Sequence, residues 1–193
     1  MVAGRFMGRR EPVNAAQKFV AKLRKSRPVF GMSFRDKILA PDELRSWREA
    51  LRVARKQVVV TNGCFDILHV GHVTYLEAAR QQGDVLLVGL NSDASVRQLK
   101  GEGRPVNPES DRAAVLAALQ AVDAVCIFDE MRASRFLALA QPDIYAKGGD
   151  FTVDQLPQEE RDIVEKLGGK IVTLGLVPAR STTALLAKIA RSY

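Results

Sequence analysis

Residues 57–72 read Gln57-Val58-Val59-Val60-Thr61-Asn62-Gly63-Cys64-Phe65-Asp66-Ile67-Leu68-His69-Val70-Gly71-His72. Three consecutive valines between polar ends fit a short strand buried on both faces. Gly63 then permits a tight turn at which backbone can approach a ligand. Past the turn the pattern becomes helical, and a helix is expected over 72–82, ended by Gly83. Strand, turn and helix start are the opening of a βαβ unit.

The same alternation continues outward. Further strands are expected at 84–91, 124–128, 143–147 and 170–174, with 57–62 as the first. Pro41-Asp42-Glu43 opens a helix that runs to about Arg55, and others are expected at 108–119, 133–140, 156–167 and 181–191. Between the second strand and the next helix lies a polar stretch with Gly101, Gly103 and Pro105, read as a loop. Glu159 and Glu160 are read as acidic first-turn residues that complement a helix dipole. The expected fold is α/β: a Rossmann-like, doubly wound parallel sheet of about five strands in a single domain. Ligands of such sheets lie beyond the carboxyl ends of the strands, at the switch in strand order.

The bulk properties agree with one ordinary globular domain. Of 193 residues, 47% are hydrophobic and 26% charged, enough for a core without disulfides or metal staples. The net charge of +7 is unevenly spread. Residues 1–60 hold 15 Lys/Arg against 5 Asp/Glu, whereas the remainder is slightly acidic. We divide the chain into a basic extension, 1–33, and a domain, 34–193. The extension is a solvated arm, a basic arm that touches RNA, a targeting segment, or a stretch upstream of a start at Met32. No apolar run has the length of a membrane span, and no signal-peptide pattern opens the chain, so a cytoplasmic protein is expected. Two cysteines, Cys64 and Cys126, stand at no metal-ligand spacing and suit a reducing compartment.

His69 and His72 are the only histidines. Three residues apart at a helix start, they share one face beside unsatisfied backbone N–H groups, a suitable place for phosphate. Gly71 between them leaves room for a phosphate chain against the backbone. A zinc pair would need further ligands, and none is evident, so no resident metal is expected. Lys147-Gly148-Gly149-Asp150 closes the fourth strand, with two glycines for close approach and two polar heads for a nucleoside, or else forms an ordinary turn. Ser181-Thr182-Thr183 precedes an apolar helix, and Ala184 stands where a capping-box acid would be, which leaves N–H groups and hydroxyls available. Asn91 and Asp93 end the second strand; Lys100 and Arg104 in the following loop can grip phosphate or serve as solvated surface. Arg112 heads a helix, where its charge opposes the dipole, which favours a functional or pairing role.

GCFDILHVGH resembles the HxGH signature of the nucleotidyltransferase superfamily. Together with LNSDASVRQLKGEGRPVNPESDRAAVLAAL, VDAVCIFDE, DIYAKGGD and STT, it is most similar to the D-glycero-D-manno-heptose 1-phosphate adenylyltransferases. The resemblance spans about residues 36–193. It implies transfer of AMP from ATP to heptose 1-phosphate, giving ADP-heptose and pyrophosphate for the lipopolysaccharide core. It implies catalytic roles for His69, His72 and Lys100. It implies nucleotide contacts by Gly63, Cys64, Phe65, His69, Gly71, His72, Lys147, Gly148, Asp150, Arg180, Ser181, Thr182 and Thr183. Substrate contacts fall to Asp66 (or a local organising role), Asn91, Asp93, Lys100, Arg104 and Arg112. Magnesium would enter with ATP. A separate heptose kinase would supply the substrate, and a homo-oligomer is expected, with no membrane or nucleic-acid partner. One departure stands out: cytidylyltransferases carry R-x-x-x-I-S-T-T, and here Leu176 and Arg180 replace the arginine and isoleucine. A cytidylyltransferase of glycerol 3-phosphate or a similar phosphate is the enzymatic alternative. A non-catalytic nucleic-acid-binding protein that uses its basic arm is the alternative of another class.

Overall fold

A computed structural model describes residues 33–149, 152–175 and 182–192. Six strands form one sheet: β1 (Ile38–Leu39), β2 (Val58–Gly63), β3 (Val85–Asn91), β4 (Ala124–Phe128), β5 (Ile144–Gly148) and β6 (Lys170–Leu174). Their spatial order is β1-β4-β3-β2-β5-β6, and every pairing is parallel. Seven α-helices occur among the described residues: α1 (Leu44–Val53), α2 (Val70–Arg80), α3 (Asp93–Lys100), α4 (Glu109–Ala118), α5 (Ser134–Ala140), α6 (Gln158–Lys166) and α7 (Thr182–Ala190). This is the doubly wound parallel sheet expected from the alternation. None of the helices is long and apolar enough to cross a membrane.

The continuous apolar runs of β2 and β3 make sense because both faces of the sheet are covered. Side chains alternate across a strand, so Val58, Val60, Val85 and Leu87 join one core with Leu44, Trp47 and Leu51 of α1 and Phe136 and Leu137 of α5. Val59, Leu86 and Val88 join the other, with Tyr75, Leu76 and Ala79 of α2 and Leu116 of α4. Each fully buried Val or Leu of these runs contributes about 1.5–3 kcal/mol relative to exposure.

Two elements differ from expectation. β1 adds a sixth strand of two residues, Ile38 and Leu39, paired with Val125 and Cys126 at the sheet edge. A two-residue strand carries no periodicity to read. The stretch read as a polar loop instead begins with α3, whose Ser92 side chain accepts from the Ser95 N–H as an N-cap. Its apolar stripe is thin: Val96 is buried but Leu99 is exposed. Lys100 is therefore the last residue of a helix, and Asp93 the first, not the end of a strand.

From β2 the chain adds β3 and β4 on one side, then returns to place β5 on the other side of β2. The order of strands thus switches between β2 and β5. Asn62 and Gly63 end β2 there, and Lys147 and Gly148 end β5.

Candidate active site

Gly63 closes β2, and Phe65 follows in the left-handed region at φ 43°. That conformation is uncommon for a bulky residue. It turns the ring back over the strand end, where a Cβ on Gly63 would lie 3.1 Å from the ring. A side chain at position 63 would thus press on the ring, which would have to give by a few tenths of an ångström. The ring of Phe65 in turn lies 5.3 Å from that of His72.

α2 starts two residues earlier than the sequence pattern indicated. His69 is its N-cap, with extended backbone (φ −141°, ψ 170°) and no capping bond from its side chain. The carbonyl of His69 accepts from the His72 N–H at 2.9 Å. Spacing of three at this point brings the two imidazoles into a stack, with centroids 3.9 Å apart and planes 22° from parallel. His72 Nδ1 is buried and has no hydrogen-bond partner among the described residues. Burial, followed by the neighbouring charge of His69, lowers the His72 pKa from 6.5 to about 4. His72 is accordingly a neutral imidazole at pH 7, further from titration than an ordinary histidine. Gly71, between the pair, is buried.

Buried hydroxyls fasten the helix that carries His72 to the sheet. The Thr61 and Tyr75 hydroxyls are 2.6 Å apart, and Tyr75 donates to the Ala146 carbonyl at 3.0 Å, which ties α2 to β2 and β5. Burial pushes the Tyr75 pKa up to about 12. On the far side, the Thr182 hydroxyl donates to the Ile67 carbonyl at 3.1 Å, so the amino terminus of α7 sits against the loop that leads to His69. Asp150, Arg180 and Ser181, together with Leu176, lie outside the described residues, as does all but Ser33 of the basic extension. Thr183 is described only as part of α7.

Lys147 stands across the β2–β5 switch and donates to Asn62 Oδ1 at 3.0 Å. Burial lowers its pKa, partly opposed by the charge of Glu160. Beside it, Gly148 ends the strand.

The residues expected to hold the substrate form a second group, beyond β3. Asp66 is buried; its Oδ1 accepts from the Val106 and Asn107 N–H groups at 2.7 and 3.2 Å, and its Oδ2 pairs with Arg104 Nε at 3.2 Å. Its geometry is that of an organiser of the 104–107 loop. Arg104 Nη1 is buried with no hydrogen-bond partner among the described residues. Arg112 is covered, and it donates to the carbonyls of Asn107, Cys64 and Asn91 and to Asp93 Oδ1. This is the geometry of the pairing role, not of a free phosphate ligand. Asn91 Nδ2 likewise donates to Ser95 Oγ and the Glu130 carbonyl. Lys100 is exposed at the end of α3, within electrostatic reach of the Cys64 thiol. Burial raises the Cys64 pKa, whereas Lys100, Arg112 and Arg104 pull it back. The cations of this group therefore gather around the start of the turn that leads to the histidines.

Sequence reading missed Asn62, Tyr145 and Glu160. Asn62 lay within the decisive stretch, at a strand end, but a lone amide carries no chemical signal. Tyr145 shares a strand face with Lys147, two residues on, and that spacing was the available clue. Glu160 stands in the first turn of α6, as read from the sequence, but it is also buried, at 4% exposure, and accepts from the Tyr145 hydroxyl. Among the described residues no group of three His, Cys, Asp or Glu could hold a metal ion.

Comparison with known proteins places this geometry in context. A family model described as cytidylyltransferase-like matches residues 60–184. The chain is 48% identical over 157 residues to the bifunctional protein HldE of Geobacter metallireducens, covering 81% of this chain and 32% of that protein. It is 53% identical over 152 residues to HldE of Pseudomonas fluorescens, covering 79% and 30%. HldE of Syntrophotalea carbinolica is 44% identical over 174 residues, 90% of this chain and 35% of the relative. The chain thus spans about a third of the length of these curated relatives. Among solved structures, a lipopolysaccharide core biosynthesis protein from Thermoplasma volcanium superposes with a TM-score of 0.52 at 28% identity, over 63% of this chain and 97% of that one. Pantoate-beta-alanine ligase from Francisella tularensis shares the fold, with a TM-score of 0.51 at 14% identity over 76% of this chain and 68% of the ligase.

Proposed function

The chain belongs to the cytidylyltransferase-like family, and from that premise we propose that it transfers AMP from ATP to D-glycero-D-manno-heptose 1-phosphate. ADP-heptose and pyrophosphate are the products. The observation that carries this reading is the stacked pair His69 and His72 at the α2 amino terminus, which follows β2 at the switch in strand order, with Thr182 of α7 bonded to Ile67 just before the pair and Lys147 of β5 bonded to Asn62 at the end of β2. The five sequence stretches that resemble heptose 1-phosphate adenylyltransferases support the choice of sugar. So do the HldE relatives and the lipopolysaccharide core biosynthesis protein.

The chemistry asks little of the protein beyond position and charge. A phosphate oxygen of the sugar attacks the α-phosphorus of ATP. The bond from that phosphorus to the bridging oxygen breaks, and pyrophosphate leaves with the electron pair. The nucleophile is already anionic, so no general base is required. His69 and His72 hydrogen-bond the triphosphate, and its negative charge favours uptake of a proton by the pair. Lys147, the N–H groups of α2 and the start of α7 receive the remaining phosphate oxygens. Arg104, with its uncommitted Nη1, and Lys100 approach the sugar phosphate. Magnesium would enter as the ATP complex and would neutralise phosphate charge; among the described residues no group of three His, Cys, Asp or Glu could hold it, so its ligands would come mainly from the nucleotide. The two unpaired cysteines suit the reducing cytoplasm.

Pyrophosphate release from heptose 1-phosphate, measured separately with ATP and with CTP, tests the proposal. Release with ATP, and little with CTP, is expected. Preference for CTP would transfer the chain to the cytidylyltransferase alternative, and no release with either nucleotide would end the heptose reading.

A further inference from the structure

At the end of the sheet opposite the histidines, the amino ends of β2 and β5 meet the end of α1. Gln57 precedes β2 and Asp143 precedes β5, and the six residues of β2 set that edge roughly 20 Å from the carboxyl edge. Arg48, Arg52, Arg55, Lys56, Gln57 and Asp143 line a cavity of about 280 Å³ there. Arg48 is the one buried residue of the six, at 4% exposure, and so forms the floor. Its Nε donates to the Gln141 carbonyl and its Nη2 to Asp143 Oδ1, both at 2.8 Å, whereas Nη1 is buried with no hydrogen-bond partner among the described residues. Asp143 Oδ2 accepts from the Val58 N–H at 2.7 Å, so both oxygens of the only carboxylate in the lining are engaged.

Four cations around one carboxylate are costly to gather. Arg48 and Arg52 stand four apart on α1, a spacing at which like charges repel. Arg55 follows the helix at φ 55°, a conformation uncommon for any residue with a side chain. It is exposed and pairs with no carboxylate among the described residues. Arg52 and Lys56 do pair, with Glu49 at 3.1 Å and Asp84 at 3.3 Å, but both pairs are open to solvent and weakly held. Cations at the end of a helix complement its dipole, which accounts for Arg52 in the last turn. Arg48, in the middle of α1, gains nothing from that end. The cavity lies just below the roughly 300–1,000 Å³ of pockets that enclose whole small molecules. Guanidinium forks match the oxygens of phosphate, and an ammonium adds a point charge.

We propose that this cavity is an anion site, separate from the nucleotide crevice, that takes a phosphate group, free or esterified. Arg48 Nη1 supplies the inner donor, and Arg52, Arg55 and Lys56 supply the rim. The site does not depend on the reaction assigned to the histidines.

Nuclear magnetic resonance titration of the isotope-labelled chain with inorganic phosphate tests it, with sodium chloride holding the ionic strength constant. The amides of Arg55, Lys56 and Gln57 should shift and saturate. Arg52→Ala combined with Arg55→Ala should raise the midpoint about tenfold, since two charged donors are lost. If circular dichroism shows that double variant unfolded, Arg55→Ala alone replaces it, with about a threefold loss expected from a single exposed donor. A parallel titration with glycerol 3-phosphate separates the two sources: a lower midpoint than that of inorganic phosphate assigns an ester, an equal or higher one the free anion. Shifts confined to the residues around His69 and His72, shifts that chloride alone reproduces, no saturation, or an unchanged midpoint in the folded variant would overturn the site.

Discussion

At the scale of single residues, position decides what a side chain does more than its type. His72 is held as a neutral imidazole by burial, and this has a consequence for stability. Its pKa is about 4 in the folded chain and near 6.5 when unfolded. Between those values the unfolded chain binds a proton that the folded chain does not, so stability is lost as pH falls from about 6.5 toward 4. Above 6.5 the two states bind equally and the effect is absent. Urea midpoints at pH 7 and pH 5 should therefore diverge less in His72→Gln than in the parent; an unchanged divergence would show that His72 is not the group concerned. His69→Ala and His72→Ala should each cut turnover by about a hundredfold or more with the fold intact. The pair was legible in the sequence because rarity, spacing and a helix start coincided. Glu159 and Glu160 mark the limit of such reading. They are adjacent and chemically alike, yet Glu159 is exposed and Glu160 is sealed against Tyr145. A shift of one residue on a helix turns a side chain by about 100°, and only the packed fold shows which one turned inward.

At the scale of elements, strong apolar runs were legible and thin ones were not. β2 and β3 announced themselves through unbroken valine and leucine. α3 went unread because its eight residues offer a single buried apolar side chain, Val96. Its place is instead secured by polar ties, chief among them Arg112 of α4. One guanidinium gathers the carbonyls of Cys64, Asn91 and Asn107 and the carboxylate of Asp93. It thereby fixes the ends of β2 and β3, the start of α3 and the loop before α4. The sequence flagged Arg112 because its charge opposes a helix dipole, and a buried tie accounts for it. Arg112→Ala leaves Asp93 and three carbonyls short of a donor, a loss of about 3–5 kcal/mol for a broken buried pair. Chemical denaturation should report that loss. Arg112→Lys should recover only a small part, since an ammonium cannot reach four acceptors spread over a guanidinium's fork. Full recovery by lysine would mean that charge alone matters there.

For the whole molecule, the question is whether two cores make one folding unit. They lie on opposite faces of the same sheet, and strands β2 and β3 contribute alternate residues to each. Neither core can be dismantled without exposing the backs of the strands that wall the other, so a single cooperative transition is expected. The lone tryptophan, Trp47, reports one core alone, because α1 packs on the face shared with α5 and α6. Far-ultraviolet circular dichroism reports helices on both faces. The two signals should follow one curve in urea. Gly89→Ala sharpens the test. A Cβ on Gly89 of β3 would lie 2.5 Å from the ring of Phe136, which is itself stacked on Phe128. The ring must move against a filled core, at a cost of about 1–3 kcal/mol. Because the damage falls on the Trp47 face, independent cores would show the fluorescence transition moving to lower urea while much of the dichroism held. Linked cores would show both moving together, with an unchanged slope. We expect the second outcome, since β3 is the central strand that neither face can do without.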